Sequence, residues 1–445
     1  MELLLTTAIL VVGVNTLLWA TVGLIRYATS RRDRDRPRPT AGRVHRSRVA
    51  VLIAARNEEP VIASTLRSAC RQVEPAQVFV VSDGSTDRTA WIARALGTSV
   101  VELSPNRGKA GALVAGLEGF GLIDRFDVVL FLDADTTLAE DYLSTGLAEF
   151  DDPEVVAVAG RATTRLDPAP GSVFGRFLVA YRERYYLAVQ YLLKYGQAAR
   201  AANAVSIVPG FASMYRTRVL RQIEIGAPGL VIEDFNMTFE VHAHRLGRIA
   251  FRPGSAIAGT QDPVTFRDYT RQMHRWTLGF WQTVRRHRLH GDPFWAALVL
   301  YIAELVVSST LLVVVVPLLA ASLLGGLWTA ITGEPSPAGM AALPPAWALL
   351  IAVAVPDLLL TIFAVCVSRR VPMLRYAPFF TIMRVVDAAI CLASLAQAFD
   401  RRRVASGRWT SPARRRGPED DLLGPSLPQS GPATAGGVAA SSERS

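Results

Sequence analysis

Val128-Val129-Leu130-Phe131-Leu132-Asp133-Ala134-Asp135 is an apolar run of five residues that ends on two carboxylates at i and i+2. A run that is apolar on both faces and bounded by polar residues reads as a strand buried on both sides, the kind found in parallel sheets. In open α/β sheets, ligands bind beyond the C-terminal ends of the strands. Asp133 and Asp135 therefore stand where a ligand is expected. Two carboxylates so placed repel unless solvent or a cation lies between them. A hard ion with oxygen ligands, Mg²⁺ or Mn²⁺, suits them, above all one shared with phosphates. A solvated acidic turn is the competing explanation.

Two similar runs precede it, Arg48–Ala54 and Val78–Ser82. Helical patterns between them give the alternation of an α/β domain. The first run ends in Ala54-Ala55-Arg56-Asn57-Glu58-Glu59, where capping carboxylates in a solvated turn would explain the composition equally well. The second ends in Ser82-Asp83-Gly84-Ser85-Thr86-Asp87. Asp83 at that tip can accept hydrogen bonds from a base or ribose, and Gly84 permits close backbone approach; an ordinary N-cap is the alternative. Between the second and third runs lies Asn106-Arg107-Gly108-Lys109-Ala110-Gly111. Lys109, just ahead of the expected helix Ala110–Gly119, suits a diphosphate, although the glycine spacing is not that of a P-loop.

Three motifs follow downstream: Val208-Pro209-Gly210-Phe211-Ala212-Ser213-Met214-Tyr215-Arg216, Ile232-Glu233-Asp234, and Gln272-Met273-His274-Arg275-Trp276. A carboxylate at a helix start has its ionised form stabilised by the helix dipole, which suits Asp234 as a proton acceptor; plain capping by Glu233 and Asp234 is the alternative. Gln272, Arg275 and Trp276 share one helix face at i, i+3 and i+4. Trp can stack on a sugar and Arg can neutralise a diphosphate, while a basic amphipathic helix resting on a membrane would show the same pattern.

In this order the motifs resemble those of the family 2 nucleotide-diphospho-sugar glycosyltransferases. The resemblance implies a GT-A (Rossmann-like) α/β catalytic domain with a mostly parallel sheet. It implies that Asp83 contacts the nucleoside and that Asp133 and Asp135 hold the metal, Mg²⁺ or Mn²⁺, and the donor diphosphate. Asn57, Glu58 and Lys109 become further donor contacts. Gly210 falls in the acceptor-side loop, Asp234 beside Glu233 becomes the general base, and Gln272, Arg275 and Trp276 match the signature of the membrane-integrated, usually processive branch. The activity implied is inverting transfer from a nucleotide sugar such as UDP-GlcNAc to a growing polysaccharide, similar to the poly-β-1,6-N-acetylglucosamine, hyaluronan, chitin and cellulose synthases. Transfer of one sugar to a lipid is the second reading, and a transport or scaffold protein with a degenerate domain the third.

Half of the 445 residues are hydrophobic and the net charge is +10, more apolar surface than a soluble domain buries. The basic residues flank apolar segments, so they read as a topology signal rather than a nucleic-acid site. The expected organisation is an N-terminal span within 1–30, a basic linker 31–47 and a cytosolic catalytic domain 48–290 with interfacial helices near 171–195 and 263–290. A membrane region 291–400 follows, then a basic and afterwards disordered tail 401–445. Within 291–400 the expected spans are 295–324 and 346–367. The segment 376–398 is read as interfacial or re-entrant, with a fourth span as the alternative. Glu304 and Asp357, costly in lipid, are expected to face protein or a wet cavity. The layout predicts a multi-pass protein of the plasma membrane whose partners are a nucleotide-sugar donor, a glycan or lipid acceptor and the bilayer. It leaves a small membrane partner subunit open.

Overall fold

The computed structural model describes residues 13–32, 44–400 and 414–416. The expectations for residues 1–12, 33–43, 401–413 and 417–445 lie outside the described residues. The strands are β1 (Val49–Ala55), β2 (Val78–Asp83), β3 (Ser99–Leu103), β4 (Val128–Asp133), β5 (Thr137–Leu138), β6 (Val155–Ala159), β7 (Arg161–Thr164), β8 (Ala212–Arg216), β9 (Arg248–Ala250) and β10 (Ile257–Thr260). The longer helices are α1 (Val14–Arg32), α2 (Ile62–Cys70), α3 (Thr89–Ala95), α4 (Gly108–Gly119), α5 (Val173–Ala188), α6 (Glu233–Ala243), α7 (Phe266–Arg286), α8 (Pro293–Thr332), α9 (Ala346–Ser368) and α10 (Ala377–Phe399).

The main sheet has the order β3-β2-β1-β4-β8-β6-β9. All neighbours pair in parallel except β8, which runs antiparallel to both β4 and β6. The apolar runs form these strands because they bury both faces. Val49, Val51 and Ile53 join Val78, Val80 and Leu130 in a core with α2 and α3. Ala50, Leu52 and Ala54 join Phe79, Val81 and Phe131 in a second core under α4. The two-residue period of a strand divides the residues between these layers. At Gly116 of α4 a Cβ would lie 2.7 Å from Leu52 Cδ1 and 2.8 Å from Val81 Cγ2, so the helix backbone rests directly on β1 and β2. A small second sheet, β5-β10-β7, contributes Ala162 and Thr260 to the wall of the cavity described below.

The antiparallel β8 matters most for the site. Its start lies beside the end of β4, and the Asp133 amide donates to the Phe211 carbonyl at 2.8 Å. The loop 208–211 is thereby carried to the acidic tip of β4.

Three helical segments are long and apolar enough to cross a membrane: Pro293–Thr332, Ala338–Ser368 and Val371–Phe399. Leu311, Val314, Val316, Leu323, Leu324, Leu358, Leu359, Phe379 and Ile382 face outward from them, an apolar surface that suits lipid. α8 runs past the expected end at 324. Gly325 packs against Met340 and Ser336 instead of breaking the helix, and the stop comes at Gly333, whose φ of 71° is the left-handed cap glycine accepts. α10 lies along α7, with Thr277 Oγ1 donating to Ser394 Oγ at 2.8 Å and His274 Nε2 2.8 Å from Gln397 Oε1. α1 packs on the turn after α5, where the Arg26 guanidinium donates to the Tyr195 carbonyl at 2.7 Å and lies over the Tyr195 ring.

Candidate active site

The polar residues singled out from the sequence stand at the C-terminal ends of β1, β2 and β4 and along the facing starts of α4 and α6. Asp83, fully buried, accepts from the Arg107 amide at 2.6 Å through Oδ1; Oδ2 has no hydrogen-bond partner among the described residues. A buried acceptor left over in this way suits a donor group supplied by a ligand. Asn57 is exposed beside it and accepts from the Thr86 amide at 2.8 Å, tying the tip of β1 to the turn after β2.

The geometric centre of the site is Lys109. Its Nζ lies 2.7 Å from Asp133 Oδ1 and 3.0 Å from Glu233 Oε1, joining the start of α4, the end of β4 and the start of α6. Burial works against the ammonium, but Asp133 and Glu233 more than offset it and raise its pKa. Burial raises the Asp133 carboxyl against the opposing pull of Lys109. In Glu233 burial pulls the same way, but Lys109 and then Arg275 outweigh it and hold the carboxyl below its ordinary value.

Asp234 follows directly in α6. Its Oδ2 accepts from the Gly210 amide at 3.2 Å and its Oδ1 from its neighbour Phe235 at 2.8 Å. Burial, and next the Glu233 charge, push its pKa up to about 6 while Lys109 pulls the other way. A carboxylate balanced near neutrality is matched to accepting a proton. Gly210 leaves room for the ion pair: a Cβ there would stand 3.1 Å from both Glu233 Oε1 and Lys109 Nζ, which would have to shift by a few tenths of an ångström.

Asp135 is buried and its Oδ2 is ion-paired with Arg414, which also grips Glu58. Among the described residues no cluster of three or more His, Cys, Asp or Glu forms a ready-made metal cage. The donor set is hard carboxylate oxygen, and a guanidinium already sits on it as a stand-in cation. Asp133 and Asp135 therefore fit a divalent ion of the Mg²⁺ or Mn²⁺ type that takes its remaining ligands from phosphate.

A cavity of ≈ 650 Å³ begins at Asp133, Asp135 and Asp234, passes Gln272, Arg275 and Trp276 on α7, and reaches Glu304, Ser308 and Leu312 on α8. The sequence motifs at 133–135, 233–234 and 272–276 thus share one space. Glu304 lies at the far end and accepts from the Asn15 amide of α1 at 2.6 Å. Gln272 Oε1 is buried and has no hydrogen-bond partner among the described residues.

Two contributors are not legible as motifs. Arg182 of α5, fully buried, places its guanidinium 4.3 Å from the Trp276 ring centroid. It is held by Asp262 Oδ1 at 3.2 Å and by Tyr186, whose hydroxyl donates to the same Asp262 oxygen at 2.8 Å. The orientation of Trp276 is therefore set by a buried ion pair as well as by its own helix. The only sequence signal was the richness of 171–195 in Tyr and Arg. The second is the run Arg414–Arg416, whose arginines read in the sequence as a topology signal; here Arg414 and Arg416 face the carboxylates that follow β1 and β4, and Arg415 binds Gln261 between them.

The mannosyltransferase PcManGT from Pyrobaculum calidifontis, solved in complex with GDP-Man and Mn²⁺, superposes with a TM-score of 0.50 over 87% of this chain and 99% of its own, at 19% identity. That likeness is one of fold, and the fold is GT-A. In this chain the mostly parallel GT-A sheet is continued by three long apolar helical segments. A model described as glycosyltransferase like family 2 matches residues 45–279, and the chain belongs to that family. It is homologous to poly-beta-1,6-N-acetyl-D-glucosamine synthases. One from Staphylococcus epidermidis is 24% identical over 288 residues, 59% of this chain and 66% of that protein. One from Staphylococcus aureus strain COL is 26% identical over 237 residues, 52% of this chain and 54% of that protein. The match thus spans between about half and two thirds of the length of these relatives.

Proposed function

We propose that this glycosyltransferase extends a polysaccharide at a membrane, taking sugar from a nucleotide-diphosphate donor on the cytosolic side and leading the product toward the bilayer. The observation that carries the proposal is the single cavity that joins the carboxylates of β4 and α6 to the Gln272, Arg275 and Trp276 face of α7 and then to the apolar helix α8. An enzyme that releases a small product needs no cavity running on into an apolar helix, whereas a growing chain needs room beyond the bond being made.

In this mechanism Asp83, with its Oδ2 unpartnered among the described residues, receives the nucleoside, with Asn57 as a further donor contact, and Glu58 lines the cavity. Asp133 and Asp135 would hold a divalent ion with the diphosphate, and that ion supplies charge neutralisation to the leaving group. Lys109 and Arg275 add fixed positive charge on the same side. Asp234 takes the proton of an acceptor hydroxyl that attacks the anomeric carbon from the opposite face, so a single displacement inverts the configuration. Glu233, held ionised by Lys109, keeps that lysine in place and raises the basicity of Asp234. Trp276 stacks on the acceptor sugar. The homology to poly-N-acetylglucosamine synthases supports UDP-GlcNAc as the first donor to test.

The test is a panel of labelled nucleotide sugars offered to the purified, detergent-solubilised protein, with products sized by gel and mass spectrometry. Polymeric product from one donor is the expected outcome. A product that stops at one added sugar on a lipid would replace synthesis by single transfer, and hydrolysis alone would remove both.

A further inference from the structure

Glu58, just after β1, and Asp135, just after β4, are shielded from solvent. Arg414 makes a two-pronged ion pair with Glu58, Nε at 2.9 Å from Oε2 and Nη2 at 3.0 Å from Oε1, and its Nη1 pairs with Asp135 Oδ2. The side chains are nearly enclosed, Arg414 being 12% exposed, Glu58 1% and Asp135 8%. Arg415 is anchored separately. Its amide donates to Gln261 Oε1 at 3.0 Å, and Gln261 Nε2 donates back to its carbonyl at 2.8 Å. Its guanidinium donates to the Pro168 carbonyl at 2.8 Å. Arg416 lies 3.8 Å from Glu59. Three successive residues are thus docked by backbone and side chain at a place far from them in sequence.

From this geometry we infer that the cleft of Glu58, Asp135 and Gln261 is a docking site for the chain's own basic segment Arg414–Arg416, and that this segment and the divalent ion of the donor complex exclude one another. The inference rests on the assignment of Asp135 to the metal under the proposed function. Its physical basis is charge. Two enclosed carboxylates are costly unless a cation accompanies them. One guanidinium meets that need when no donor is bound, but its Nη1 occupies the Asp135 oxygen that a metal ion would require. A divalent ion bridging Asp135 to a diphosphate brings more charge to the same place, and the segment must then leave. Docking lowers the apparent metal affinity by the fraction of molecules with the cleft free. The empty enzyme is held closed, and donor entry is coupled to movement of the tail.

Mn²⁺ binding to the full chain, followed by electron paramagnetic resonance of the free ion, tests this without activity. Arg414→Gln should tighten Mn²⁺ binding about tenfold if docking is favoured by that factor. Arg415→Ala, which touches neither carboxylate, should move the affinity the same way because it loosens the anchor. Asp135→Asn should abolish binding in every background. In the wild type, added Mn²⁺ should speed tryptic cleavage at Arg414–Arg416. Unchanged Mn²⁺ affinity in both arginine variants, or cleavage indifferent to Mn²⁺, overturns the docking site and leaves the metal assignment standing. Tightening by Arg414→Gln alone reduces Arg414 to a local charge and overturns the docking of the segment. Failure of wild type and Arg414→Gln alike to bind Mn²⁺, both alone and with UDP present, removes the metal assignment, and the exclusion with it.

Discussion

The α/β half and the helical half of this molecule use charge in opposite ways. At the strand ends Lys109 and Asp133 are half-buried, and the one ammonium is shared between the Asp133 and Glu233 carboxylates, a cation that can take a charged substrate as a partner instead. Between the catalytic domain and the helices the pairs are sealed. Arg184 reaches Asp357 at 2.8 Å with both side chains almost fully enclosed, Arg182 holds Asp262, and Asp387 accepts from Tyr181 and Tyr269 at 2.7 and 2.6 Å. A sealed pair cannot exchange partners without leaving a bare charge in a medium of low polarity. The difference separates charge left open to a ligand from charge that fixes how α5 and α7 sit against α9 and α10.

The largest effect expected from disturbing that division lies on the chemical side. Asp234→Asn should lower transfer by about 10²–10⁴-fold, the usual worth of a positioned base, with donor binding retained; transfer near the wild-type rate would remove Asp234 from its role. The stability effect has the opposite sign. The folded-state pKa of Asp234, about 6, lies above its ordinary value. Its contribution to stability is therefore complete below the ordinary carboxyl range and is lost as pH rises through about 6. The amide escapes that loss, so the variant should melt no lower than wild type at neutral pH.

On the sealed side, Arg184→Ala leaves Asp357 enclosed with the more distant Arg384, at 3.4 Å, and the Thr381 hydroxyl, at 3.2 Å. It should cost about 3–5 kcal/mol of stability in detergent, read as a lowered melting temperature. Replacing both partners by methionine should recover most of that loss. If Arg184→Ala melts like wild type, the pair is not the fastening it looks to be.

The smallest effect sits at the join between the two kinds of charge. Lys109 lowers the Asp234 pKa, so Lys109→Met should move the acid limb of the transfer rate, expected near pH 6, to higher pH. A limb that stays in place would show that Asp234 titrates independently of Lys109.

Much of the site was readable from the chain alone. β1, β2 and β4 begin and end within a residue of the apolar runs, because a strand buried on both faces must be apolar throughout. Asp83, Asp133 and Asp135 follow from the rule that ligands gather at strand ends. Arg182, by contrast, has no pattern of its own. Its partner Asp262 lies 80 residues away and its ring contact Trp276 sits on a different helix. Arg414 was read as membrane-flanking charge because composition records how many arginines there are and not where they rest.

The linear order of residues determined the alternation of strands and helices, the acidic tips and the long apolar stretches. Each of these follows from local burial, which leaves a period or an unbroken run in the chain. Tertiary structure alone decided which charges meet. The reversed direction of β8 brings Phe211 to Asp133, the start of α6 brings Glu233 to Lys109, and a segment 356 residues away brings Arg414 to Glu58. An ion pair depends on distance in space, and only the packing of sheet against helix fixes that distance.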